Sequence, residues 1–167
     1  MPSTIDETNS DPPKRQKMEE TTADDSDSDE SDMGTPEEIQ RFYDEYDKSQ
    51  GFEMDFSKFT FCFDWKQLDL EDDDWVQKNN PDQTNNRDLI AMLCNVALTK
   101  HNEEKGTNLK LGQVLNANYH LAAAVTFYIS FQVIDPCDGN QTKPYRAVVG
   151  YLPGRILVKS CNPRPSE

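Results

Sequence analysis

Large apolar side chains are sparse over residues 1–34 and return in periodic form from Thr35 onward. Thr35-Pro36-Glu37-Glu38 reads as a helix start. Thr35 can cap exposed backbone N–H groups, Pro36 suits the first helical position and Glu38 completes a capping box. Ile39, Phe42, Tyr43 and Tyr46 follow on one helical face, and Gly51 offers a left-handed stop, so the spacing predicts a helix over 36–50. In Phe59-Thr60-Phe61-Cys62-Phe63-Asp64-Trp65, large aromatics alternate with smaller or polar residues, the period of a strand with one buried face over 59–65. The acidic run Asp69–Asp74 and the Asn/Pro-rich stretch Asn79–Asn86 read as loop. A long helix is expected from about Arg87 to Lys105, ending at Gly106, with Asn85 or Asn86 as its cap. Leu89, Leu93, Val96 and Leu98 then lie on or near one face.

Beyond Leu109 the pattern is strand-like throughout. Val125–Ile134 is rich in β-branched and aromatic residues, Pro136–Asn140 is turn chemistry, and Tyr145–Tyr151 and Ile156–Val158 read as two further strands across a Pro153-Gly154 turn. A helix followed by sequential hairpins predicts an α+β domain in which an antiparallel sheet wraps one long helix, with an extra helix in front.

Charge divides the chain. Acidic residues outnumber basic ones 31 to 17, a formal net charge of −14, which argues against general nucleic-acid binding because phosphates recruit Lys and Arg. Residues 1–34 hold the dense acidic stretch Asp24–Glu30 and too little apolar surface to offset the entropy of ordering, so they are expected to be a disordered acidic tail. The expected division is this tail, an N-terminal extension over 35–86, a core over 87–162 and a disordered end over 163–167. Neither an apolar run of the ~18 residues that a spanning helix needs nor a secretory signal is found, so no membrane association and an intracellular location are expected. Cys62, Cys94, Cys137 and Cys161 are scattered without C-x-x-C spacing; they read as reduced thiols and no metal site or cofactor is expected.

Chemistry-bearing groups are few. Cys94 and His101 lie seven positions apart on the long helix, but a packed thiol and a cation favoured at the helix C-terminus account for both, and no enzyme is expected. Asp27–Glu38 has acidic or hydroxyl oxygens at calcium-loop positions, yet Asp32 stands where such a loop needs glycine. Lys14, Arg15 and Lys17 form a small basic cluster that would suit nuclear import, so cytoplasm or nucleus is the expected place. Thr22 and Ser26 each precede an acidic residue by three positions and are candidate phosphorylation sites.

Leu93-Cys94-Asn95-Val96-Ala97-Leu98-Thr99-Lys100-His101-Asn102 resembles the helix signature of plant cystatins, with Val96 where that family usually has an aromatic. The resemblance runs from about Leu89 to Ser160. The extension and the acidic tail look more like the cystatin-related proteins of the cabbage family. It implies a cystatin-like antiparallel sheet around one helix. Cystatins inhibit papain-like cysteine proteases through a glycine-containing N-terminal strand, a Gln-x-Val-x-Gly hairpin and a Pro-Trp hairpin. By resemblance the first hairpin falls at His120, Leu121, Ala122, Ala123 and Ala124. The second falls at Tyr151, Leu152, Pro153 and Gly154.

In this chain Gln has become His120, Val has become Ala122, Gly has become Ala124 and Trp has become Gly154. Losing a tryptophan anchor typically costs about 2 kcal/mol or more. Val to Ala removes two carbons at roughly 0.8 kcal/mol each if buried. An added Cβ at Ala124 obstructs close backbone approach. Together these amount to some 10³-fold in affinity. The resemblance therefore implies a non-enzymatic protein-binding module without tight protease inhibition. The alternatives are a weak or active inhibitor of papain-like proteases and a phosphorylated acidic adaptor that binds through its tail.

Overall fold

The computed structural model describes residues 34–152 and 154–166. The tail with Lys14, Arg15, Lys17, Thr22 and Ser26, and also Pro153, lie outside the described residues. Among the described residues the chain runs α1 (Pro36–Ser49), β1 (Trp65–Gln67), α2 (Asp74–Asn79), α3 (Asn86–Lys105), β2 (Lys110–Leu121), β3 (Val125–Asp135), β4 (Gln141–Leu152) and β5 (Arg155–Pro163). The five strands form one antiparallel sheet in sequence order, so the expected α+β class holds. Among the described residues no helix is long and apolar enough to cross a membrane.

The inner face of the sheet packs on α3. Phe127, Ile129, Phe131 and Val133 alternate along β3 and are fully buried, as pleat geometry requires of one face. They meet Leu89, Ile90, Leu93, Cys94, Ala97 and Leu98 of α3. The helix starts at Asn85, whose side chain accepts from the Asp88 N–H, and stops at Gly106 with φ 66°. Val96, expected on the packed face, is exposed instead; Ile90, Cys94 and Ala97 fill the seam. Neighbouring Asn86 is buried and is no cap. Its Oδ1 accepts from the Val76 N–H at 3.2 Å and its Nδ2 donates to the Asp69 carbonyl at 2.8 Å, which holds α2 against the start of α3.

The outer face carries the N-terminal extension. The Thr35 capping box forms as expected, and α1 ends in left-handed Gln50 (φ 53°), one residue before the expected glycine. Phe42 is the buried residue of α1, whereas Tyr43 is 48% exposed and so leaves the face it was expected to share. The strand expected over 59–65 does not form. Phe63 and Asp64 have positive φ (50° and 64°), which breaks an extended run, and β1 begins only at Trp65. The alternating aromatics serve a second cluster: Phe42, Met54, Phe59 and Trp65, flanked by Tyr46, Phe56 and Phe63 and seated on Tyr128 of β3. Gly51 permits this packing. It sits at φ 87°, and a Cβ there would lie 2.6 Å from the Trp65 ring. Asn118, fully buried, donates from Nδ2 to the carbonyls of Gly51 (2.9 Å) and Phe52 (3.1 Å), and Asn116 donates to Phe52 at 2.8 Å. Two asparagines thus clamp the extension's backbone to the sheet.

The start of the end expected to be disordered is tied down at 163–164. Pro163 ends β5 opposite Tyr145, the Arg164 N–H donates to the Pro144 carbonyl, and the Arg164 guanidinium bonds Glu53 at 2.7 Å. Along edge strand β5, the Val158 carbonyl accepts from Lys100 Nζ at 3.3 Å, and the Cys161 carbonyl lies 2.9 Å from His101 Nδ1. A carbonyl only accepts, so Nδ1 carries that proton.

Candidate functional site

Two hairpin turns meet at one end of the sheet. Leu121 pairs with Val125 across the first, Leu152 with Arg155 across the second, and Val125 pairs with Tyr151, which pairs with Ile156. Register therefore brings His120–Ala124 and Tyr151–Gly154 together. Leu121 is 38% exposed and Leu152 42% exposed, with Ala122 and Ala123 open to solvent between the strands. Gly154 has φ 77° and open space around it.

Two of the candidate residues are not presented. The His120 ring lies 5.0 Å from that of Trp65, its register partner in β1, so the extension holds it on the outer face. Tyr151 is buried. Its ring packs edge-on against Trp75 at 5.8 Å, and its hydroxyl accepts from Asn80 Nδ2.

Trp75 comes from α2, which lies mostly between the two stretches read as loop and was not expected. Six residues carry too little period to announce a helix, although the Trp75-Val76 pair within acidic surroundings was an available signal. Trp75 also packs edge-on against Phe127 and Tyr119. With Tyr119, Leu121 and Val125 it lines a shallow recess of about 380 Å³ rimmed by Asp69 and Lys78.

The carboxylates of Asp72, Asp73 and Asp74 lie within 4.8 Å of one another. Asp72 Oδ1 accepts from the N–H groups of Asp73 (2.7 Å) and Asp74 (3.1 Å), so the group forms the turn that opens α2. Cys94 lies in the inner core, where burial, with a smaller contribution from neighbouring Cys161, pushes its thiol far above the ordinary range. His101 is buried too, its Nδ1 held by the Cys161 carbonyl and its ring edge-on to Tyr145. An activated Cys–His pair needs an accessible thiolate, which this packing disfavours.

No protein-family model matches this chain, and a search of the curated proteins finds no match.

Proposed function

We propose that the chain is a non-enzymatic protein-binding module on a cystatin-like scaffold that has lost tight inhibition of papain-like cysteine proteases. The observation that carries this reading is the convergence of the two hairpin turns, with Leu121 and Leu152 exposed at one sheet end. An antiparallel sheet packed on one long helix is compatible with that scaffold. The expected inhibitory side chains are replaced by His120, Ala122, Ala124 and Gly154, and His120 is engaged by Trp65. At φ 77°, Gly154 occupies a conformation that L side chains rarely adopt, so this turn is not shaped to present a tryptophan. An intracellular place, cytoplasm or nucleus, belongs to the same proposal and rests on Lys14, Arg15 and Lys17 and on the unpaired cysteines.

Titration against papain tests the reading. The wild type is expected to show no inhibition at nanomolar concentration. The triple revertant His120→Gln, Ala122→Val, Ala124→Gly is expected to gain about tenfold or more, the equivalent of 1.4 kcal/mol. Nanomolar inhibition by the wild type would instead establish the working-inhibitor alternative. A revertant that gains nothing would remove the mapping of these turns onto a protease-facing edge.

A further inference from the structure

The outer face of the sheet holds a second recess, remote from the hairpin turns in composition and chemistry. Its volume is about 310 Å³, near the lower end of small-ligand sites, which run from roughly 300 Å³ upward. Phe52 of the extension, Tyr128 and Val148 of the sheet, and Pro163 at the chain end supply apolar walls. Ser160 and Asn162 of β5 supply polar groups.

Arg146 is the charged group in this wall. Its side chain is 14% exposed, and its guanidinium carbon sits 4.9 Å from the centre of the Phe52 ring. Its Nε is buried without a hydrogen-bond partner in the protein, and so is Oγ of Ser130, its register partner on β3. The nearest carboxylate, Glu53, stands 3.7 Å from Arg146 Nη2 but only 2.7 Å from Arg164 Nη2. Glu53 is thus committed more closely to Arg164. Among the described residues Nη2 therefore has no acceptor within hydrogen-bond distance, and a charged donor held among apolar walls is costly unless one reaches it. Its planar fork matches a carboxylate, and the rings beside it suit a flat apolar body. Glu53 weighs against a dianion, since its repulsion grows with the charge brought near.

We infer that this recess binds a small monoanionic carboxylate with an apolar body, held by the Arg146 guanidinium and packed against Val148 and the edge-to-face pair of Phe52 and Tyr128. The inference stands apart from the hairpin reading, since it uses neither turn.

The test follows amide and arginine Nε–H resonances of the full ¹⁵N-labelled chain during titration with sodium phenylacetate, neutral phenylacetamide and inorganic phosphate. Saturable shifts at Arg146, Phe52 and Ser160 are expected with phenylacetate. Binding at least about tenfold weaker is expected for the amide and for Arg146→Gln, the loss that follows from removing one charged hydrogen-bonding partner. Val148→Phe keeps the arginine and narrows the recess, and the same loss is expected there, so the inference survives a misfolded Arg146→Gln. Lys143→Gln, at the far end of β4 beside Asp135, is expected to bind as the wild type does. Equal binding of acid and amide, preference for phosphate, or unchanged affinity in both recess variants would overturn the inference.

Discussion

The two faces of one sheet are covered by different means. Against the inner face lies one long helix, joined at one end by the short α2, and the contact is mostly aliphatic and fully buried, from Leu89, Leu93 and Ala97 to Ile129 and Val149. Against the outer face lie a helix and an irregular segment, and the contact is aromatic and only partly enclosed, from Phe42 and Phe59 to Trp65 and Tyr128. Regular elements bury a continuous stripe without help from side-chain polar groups. An irregular segment brings unpaired carbonyls to the sheet, and here Asn116 and Asn118 must answer them.

The contrast predicts different responses to truncation. Phe127→Ala, in the inner core, is expected to lower the unfolding free energy by about 3–5 kcal/mol in urea denaturation. Phe42→Ala removes a comparable ring from the outer cluster. Its main effect is expected in faster amide exchange over α1, with β3 and β4 still protected. Equal loss of protection in β3 would mean that the two clusters open as one unit and would remove the contrast.

Asn118→Ala is expected to cost about 1–3 kcal/mol, because the Gly51 carbonyl loses its donor while Phe52 keeps Asn116. Asn118→Asp, which keeps the shape but removes the amide donor, should be no better. Wild-type stability in either variant would show that ring packing alone holds the extension.

An effect of pH alone concerns the thiols. Burial raises the Cys161 thiol from 9.0 to about 11 and also raises the outer-face Cys62. The folded state keeps the Cys161 proton where the unfolded chain releases it. Its contribution is therefore fully present below pH 9.0 and lost as pH rises through about 11. The stability gap between wild type and Cys161→Ala is expected to shrink by about 2 kcal/mol over that window, read from urea midpoints. A gap that stays constant would show that Cys161 is not held as a buried thiol.

Much of the inner layer was legible in the chain. The long apolar period, the Asn85 cap and Gly106 marked α3, and the β-branched runs marked β3 and β4 within a few residues. In the outer layer α1 was legible, but the segment after it was misread because alternation of aromatics from Phe59 to Trp65 imitates a strand, while positive φ at Phe63 and Asp64 is invisible to a period argument. Pro153-Gly154 was legible as a turn, the hairpin at Ala122–Ala124 came only from the resemblance, and the burial of Tyr151 came from neither. It depends on Trp75 and Asn80, which come from a segment with no usable period. The recess at Arg146 draws on stretches near residues 50, 128, 146 and 160, and no single window contains it.

One detail of the sheet's rim reaches beyond this fold. An outermost strand is a template on which another chain's backbone can crystallise into fibrils or misassembled pairs. Lys100 and His101 of α3 already engage the Val158 and Cys161 carbonyls of β5. The helix that builds the core therefore also covers part of this rim, and a strand approaching β5 from solvent meets two acceptors already occupied by the protein's own side chains.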